Sequence, residues 1–411
     1  MELERKFCNN ILEDKGKINK SDQNTISLPL KEALNSIIHK EKYTTYELST
    51  RNVALDGGNF LATLITADIK GKTKDGAKEI NIFIKNIIRG DFISYLSISD
   101  VYLRELFAHN ELLKIYSKLQ EEAAVPLEER FNTVKCYEES SSDFIILDNL
   151  ENQGFTTVDR LEPVSLNFAE ISVKQLAKFH ALSFVLKKMM PEYFREKVKP
   201  LKMVMNYDDK DWKMLVRNFS YVSINNTEDD NIKKKLEDLI PITLKKLPEY
   251  YLNTSVECLC HGDYRSTNLM VKINNGEVTK LIAIDYQFMY CGNPLNDLMF
   301  YIFTATDQQF RERHLEYIKN LYHDTMTTFL KYFDIDVEDY YPRRDYERLY
   351  KERLDFGLMS SIWVLPLTLA PGEDAPDFSK TAPCNIQLKV HSNFKSRWNG
   401  IVNDYTKWGY L

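Results

Sequence analysis

The chain has 411 residues, 44% hydrophobic and 28% charged, a composition that folds rather than stays disordered and a length that suits two lobes better than one core. The formal charge is −6 with Lys and Arg scattered among acids, which leaves no basic stripe for a nucleic-acid backbone. Six cysteines (Cys8, Cys136, Cys258, Cys260, Cys291, Cys384) without a C-x-x-C pair do not form a disulfide framework, the charged first residues do not read as an export signal, and the longest apolar run, Phe356 to Ala370, falls short of the roughly 20 residues of a membrane span; a cytoplasmic protein is expected.

From about Thr45 to Leu147 the pattern is strand-like. "NFLATLITADI", the polar turn "KGKTKDGAKE" with Asp75-Gly76, and "INIFIK" make a hairpin signature. "DVYLRELFAHNELLKIYSKLQEEA" then repeats Leu103, Leu106, Phe107, Leu113 and Tyr116 at helical spacing, so one helix is expected to interrupt the sheet. After "DFIILDNLENQGF" long helices take over, beginning with "FAEISVKQLAKFHALSFVLKKMM", where Val173, Leu176, Ala177, His180 and Phe184 share a face. Strands about Asn275-Gly276, the strongest short-range hairpin signal in the chain, are expected to break the helical part over residues 256–285.

The segment "CLCHGDYRSTNLMVK", Cys258 to Lys272, leads into that hairpin. Zinc is a poor reading of it, because C-x-C-H is not a structural-zinc spacing and no second ligand pair matches it. The cysteines read instead as strand packing. Phosphorylation of a hydroxyl requires one carboxylate for the alcohol and two oxygen ligands for Mg²⁺, and Asp263, Asn268 and Asp285 come in that order. A two-residue turn pairs Asn274 with Glu277 and so sets Asn268 opposite Ala283, with Asp285 two residues beyond. The plain alternative is a polar turn feeding a hairpin; the apolar strand "LIAI" that delivers Asp285 speaks for chemistry.

Upstream partners for such a site are a lysine on a strand and an acid on the next helix. Lys85 ends the strand "INIFIKNI", and Glu111 lies in "LFAHNELLKIY". Singly each reads as a solvated surface charge; as an ordered set of five the groups read as a kinase constellation. "GKT" at Gly71 to Thr73 is not a P-loop, since its first glycine would fall on Thr66 and no helix follows. His261 and His180 read as buried, hydrogen-bonded supports, and Asp297 as an acid favouring the start of an apolar helix.

The order Gly57-Gly58-Asn59-Phe60, Lys85, Glu111, "ILDNL" with "GF", "LAKFHA", "CHGDYRSTNLM", "IDYQ" and "GNPLNDLMFYI" resembles the ecdysteroid-kinase-like (CHK-type) family, a branch of the protein-kinase-like fold related to choline and aminoglycoside kinases. The resemblance implies an α+β, two-lobed fold: a small N-terminal lobe over 1–147 with an antiparallel sheet and one helix, a hinge over 148–154, and a mainly helical C-terminal lobe over 155–411. It implies ATP and Mg²⁺ as cosubstrate and metal. Asp263 would take the proton of a small-molecule hydroxyl, Asn268 and Asp285 would hold Mg²⁺, and Lys85 paired with Glu111 would hold the ATP phosphates. Gly57, Gly58 and Asn59 would approach the phosphates, the backbone of Leu147, Asp148, Asn149 and Leu150 would meet adenine, and His261 and Asp297 would support the loop.

The chain departs from the family at a few positions. Arg265 stands where a tryptophan is usual and Thr267 where an asparagine is; Asp285-Tyr286-Gln287 replaces Asp-Phe-Gln, and Asp148-Asn149 replaces the hinge Glu-Asp. Arg265 is open to a role at phosphate, acid or substrate. For the acceptor, Trp363, Phe356 and Leu365 would suit a lipophilic, ecdysteroid-like alcohol, whereas Glu373, Asp374 and Asp377 would suit a cationic one such as choline or an aminoglycoside. A non-catalytic relative is the third reading, against which stand all five retained groups.

Overall fold

The computed structural model describes residues 16–18, 26–53, 62–88, 93–252, 256–372, 381 and 385–411. They fall into two compact units, one of residues up to Arg89 with Val134–Gly154, the other of Gly90–Thr133 with Phe155–Leu411.

The first unit contains β1 (Gly16–Ile18), α1 (Leu28–Lys40), β2 (Thr45–Asn52), β3 (Ala62–Thr73), β4 (Gly76–Ile87) and β5 (Phe144–Asp148). Its five strands lie in sequence order, antiparallel except for β1, which runs parallel to β2. Parallel neighbours need a crossover, and α1 lies within it. Leu30, Leu34, Ile37 and Ile38 of α1 recur at helical spacing and pack with Leu48, Ile65, Ile69, Ile82 and Ile84 of the sheet. The β3–β4 turn is tighter than its polar sequence suggests: Thr73 pairs with Gly76, and Gly76 takes a φ of 127°, which favours glycine.

One expectation is corrected here. The helix foreseen in the first lobe runs as α2 (Ile98–Phe107), a π-helical turn (Ala108–Leu112) and α3 (Leu113–Glu122), but it groups with the second unit. Its apolar residues decide this, since Leu112, Leu113, Tyr116 and Leu119 belong to the core of Phe168, Leu176 and Phe179. Among the described residues the α-helix of the first unit is α1, which the sequence pattern does not single out.

The second unit continues with α4 (Leu166–Met189), α5 (Lys210–Asn225), α6 (Asp230–Leu252), β6 (Cys258–Cys260), β7 (Leu269–Asn274), β8 (Glu277–Ala283), β9 (Tyr290–Gly292), α7 (Leu295–Ala305), α8 (Gln308–Leu330), α9 (Arg343–Glu352), α10 (Leu354–Thr368) and α11 (Phe394–Lys407). Ser165 caps α4 by accepting from Phe168 N, a bond of the kind that satisfies an orphan helix donor. From Gln175 to Leu186 every residue of α4 is buried, including Lys178 and His180, whose polar atoms are paired with Glu129 and Asp297. No described helix is long and apolar enough to cross a membrane.

Two small antiparallel ladders carry the residues of interest, β6 with β9 and β7 with β8. The β7–β8 turn is the two-residue one expected, with Asn275 at φ 51° and Gly276 at φ 82°, as a type I′ turn requires. Its register is not. Asn274 pairs with Glu277, but Lys272 pairs with Lys280, so Thr279 is an extra residue and Ala283 faces Leu269 instead of Asn268. Val278 and Leu281 are three apart and both join the core; strand alternation would send them to opposite faces, and a bulge between them restores one face.

Candidate active site

β6 delivers the chain to Gly262, whose φ of 82° is in the glycine region and where a Cβ would lie 2.1 Å from the Phe288 carbonyl oxygen. Asp263 follows. The Asn268 side-chain amide donates to both the main-chain oxygen and Oδ2 of Asp263, each at 2.9 Å. Arg265 Nε is 3.2 Å from the same Oδ2. Burial pushes the Asp263 carboxyl above its ordinary range, the Arg265 guanidinium pulls it back, and the Asp285 carboxylate pushes it up again.

Asp285 leaves β8 in the left-handed conformation, φ 67° and ψ 62°, which costs an L-residue about 1–2 kcal/mol and is typical of functional sites. Ile284 N donates to Asn268 O at 2.9 Å, so Asp285 and Asn268 sit side by side in spite of the shifted register. Gln287 Nε2 donates to Asp285 Oδ2 at 3.2 Å. Because Asn268 spends its amide nitrogen on Asp263, its carbonyl oxygen is the atom left for a ligand. An amide oxygen beside a carboxylate is a hard donor set of the kind Mg²⁺ takes; these residues fit the expected metal.

Asp297, in the first turn of α7 and 2% exposed, does more than favour a helix terminus. It accepts from His261 N at 2.6 Å, Gly262 N at 3.0 Å and His180 Nε2 at 3.1 Å. An ionised carboxylate can only accept, which places a proton on His180 Nε2, and the Tyr322 hydroxyl pairs with Nδ1 at 2.7 Å. His261 accepts weakly from Asp263 N through Nδ1, at 3.4 Å, and donates through Nε2 to Ile284 O at 3.1 Å, tying the loop to the strand end before Asp285. Burial lowers the His261 pKa. His180, Cys260 and Asp297 bring ligand-type atoms within 4.8 Å of one another, yet burial holds the Cys260 thiol well above its ordinary pKa and the histidine and carboxylate bond to each other. That makes a hydrogen-bonded brace, since the thiolate is the metal ligand.

Lys85 is not a solvated strand end: it lies inside β4, opposite Leu64 and Ile145, and is 7% exposed. Glu111 falls in the π-helical turn and is exposed; it faces the Tyr193 hydroxyl, whose pKa burial and then this carboxylate raise. The buried acid of that helix is Glu105, 2% exposed. In the expected hinge, Asp148 N donates to Lys135 O and Asn149 N to Asn81 O, while Tyr137 donates to the Asp148 carboxylate at 2.8 Å. Leu147 is bridged to Cys136 and Leu150 is buried. Gly57, Gly58 and Asn59, like Glu373, Asp374 and Asp377, lie outside the described residues. Phe356 and Leu365 are core residues, and Trp363 is half-buried.

Two neighbours of the loop had no sequence cue. Arg104 of α2 donates to Lys202 O and Met289 O at 2.6 and 2.5 Å, pinning the turn after Asp285, and burial pushes its guanidinium down to about 10. Tyr251, at the end of α6, stacks on Tyr207 with ring centres 5.9 Å apart and lies edge-on to Tyr290 and Phe356. Burial, then Asp297 and Asp263, raise its pKa, which puts an aromatic group within electrostatic reach of Asp263.

A profile described as the ecdysteroid kinase-like family matches residues 56–335. No curated protein matches the sequence. Among solved structures, the chain is similar to choline kinase LicA from Streptococcus pneumoniae (14% identity, 81% of this chain and 100% of that one, TM-score 0.34). It is also similar to the GDP complex of wild-type aminoglycoside 2'-phosphotransferase-IIIa (12%, 83% and 99%, 0.37) and to the GDP and kanamycin complex of APH(2")-IIia (13%, 82% and 99%, 0.40).

Proposed function

The chain belongs to the ecdysteroid kinase-like family, and from that premise we propose that it transfers the γ-phosphoryl group of ATP to a hydroxyl of a lipophilic small molecule, an ecdysteroid-like sterol being the favoured acceptor. The observation that carries the reading is the pair of hydrogen bonds from the Asn268 amide to Asp263. It holds the carboxylate still and leaves the Asn268 amide oxygen for a ligand, in a residue whose main chain bonds the strand end just before Asp285.

In this reaction the acceptor oxygen bonds to the γ-phosphorus, the bond to the β,γ-bridging oxygen breaks with its electron pair on ADP, and the hydroxyl proton passes to Asp263. Asn268 and Asp285 would hold Mg²⁺, which when bound neutralises charge on the phosphate oxygens. Lys85 would pair with the ATP phosphates, and the Leu147–Leu150 segment would receive adenine. The chain supplies position and charge rather than covalent chemistry. For the acceptor, Arg265 offsets the Asp263 charge, so the pair offers a cation no net attraction.

The test is product formation from Mg-ATP with an ecdysteroid, choline, ethanolamine and an aminoglycoside, run beside Asp263→Asn and Asp285→Asn. A phosphate monoester on the sterol, lost in both variants, is expected. A product on the cationic acceptors alone overturns the acceptor assignment, and no product on any hydroxyl compound, or variants equal to wild type, overturns the kinase reading.

A further inference from the structure

Arg265 approaches Asp263 in an unusual way. Its Nε lies 3.2 Å from Oδ2, yet this buried nitrogen makes no hydrogen bond, so charge rather than a directed bond joins the two. Its main chain is held at both ends, the N–H donating to Asp263 O at 3.1 Å and the carbonyl accepting from Asn268 N at 2.9 Å. Among the described residues its two terminal nitrogens have no partner other than Asp263. The side chain is 20% exposed, so a planar fork of donors is presented at a partly desolvated position.

We propose that Arg265 is a catalytic residue of the transfer itself, its guanidinium fork taking the oxygens of the phosphoryl group as that group moves to an acceptor oxygen beside Asp263. The proposal rests on the kinase reading. An acceptor oxygen that gives its proton to Asp263 lies within about 3 Å of that carboxylate, and the phosphorus it attacks lies within about 3.5 Å of the oxygen. A guanidinium already at the same carboxylate reaches both. Arginine keeps its charge at every working pH, and its fork matches two phosphate oxygens at once.

The form of the contact suits this task. A charge-only contact turns without breaking a directed bond, and Asn268 keeps Asp263 in place as it turns. Arg265 gains and loses no atom: the acceptor O–P bond forms, the bridging O–P bond breaks toward ADP, and the proton goes to Asp263. Its donors meet charge that develops on the moving group, so they act mainly on the transition state.

The experiment compares wild type with Arg265→Met, Arg265→Lys and Arg265→Trp, with Asp263→Asn as the inactive reference, using Mg-ATP and whichever acceptor wild type phosphorylates. In Arg265→Met, kcat is expected to fall about 100-fold with both KM values within about threefold and an unchanged melting temperature. Arg265→Lys should recover about tenfold of that loss, and added guanidinium ion should raise the rate of Arg265→Met but not of wild type. A rise in acceptor KM at unchanged kcat would make Arg265 an acceptor-binding residue and overturn the proposal, as would a loss that merely follows a lowered melting temperature. If wild type and Asp263→Asn are equally inactive toward every acceptor, the kinase reading falls and this proposal with it; if only Arg265→Met retains wild-type kcat, this proposal alone falls.

Discussion

Asp297 accepts the main-chain N–H of His261 at 2.6 Å, a bond that fastens the start of α7 to the loop carrying Asp263. The same carboxylate also takes Gly262 N and His180 Nε2, so three donors converge on one buried acid. In Asp297→Asn the amide NH₂ must face one of those donors. A loss of about 2–4 kcal/mol in urea unfolding is expected, because a buried polar group then lacks its partner. Phosphoryl transfer should fall at least about tenfold in variant protein that is still folded. An unfolding midpoint within error of wild type would remove the bracing role.

Asn268→Ala removes both bonds to Asp263 and the amide oxygen beside Asp285. The Mg²⁺ concentration for half-maximal activity should rise about 10- to 100-fold, with kcat reduced as well. Titrating activity against Mg²⁺ checks this. A lower kcat at unchanged Mg²⁺ dependence would take Asn268 out of the metal site and leave it as a brace of Asp263 alone.

The acids of the α2–α3 helix separate by burial. Glu105, at 2% exposure, lies 4.0 Å from His109, and a buried carboxylate is kept in a fold only when it is compensated or used. Glu111 is exposed. Glu105→Gln should therefore cut kcat/KM at least about tenfold, and Glu111→Gln should stay within about twofold, inverting the assignment expected from the sequence. Equal losses in a steady-state assay would restore Glu111.

His323 of α8 predicts how stability depends on pH. Its Nε2 donates to Tyr341 O at 2.9 Å, and its ring packs on Tyr341 and Tyr346. Burial lowers its pKa; the Tyr341 carbonyl, Asp324 and Glu338 oppose the shift and Arg343 adds to it. In the unfolded chain the group titrates near pH 6.5, so between its folded pKa and about 6.5 the unfolded state binds more protons. Its contribution is complete above about pH 6.5 and is lost as pH falls from there through the folded pKa. Denaturant melts of wild type between pH 7.5 and 5 should fall more steeply than those of His323→Gln, and parallel curves would show that this histidine carries no such linkage.

Much of the fold was legible because its signals are local. The Asn275-Gly276 turn needs two positive φ values that those residues supply, and α4 follows from apolar spacing capped at Ser165. The bulge at Thr279 also had a cue, since Val278 and Leu281, both apolar, stand an odd number of residues apart. The sequence does not mark β1 or α1 and does not say with which unit the α2–α3 helix groups, because periodicity says that a face is apolar without saying which core covers it.

The sequence by itself determined the order of Asp263, Asn268 and Asp285, the strand that holds Lys85, and the turn that brings the two arms of the hairpin together, since each depends on spacing within a few residues. Only the tertiary structure decided which acid of the α2–α3 helix is buried, that Asp297 gathers donors from α4 and from the loop after β6, and that Arg265 faces Asp263 by charge alone. Burial and hydrogen-bond partnership are set by residues tens of positions away in the chain, such as His180 against Asp297, and no local pattern encodes the partner.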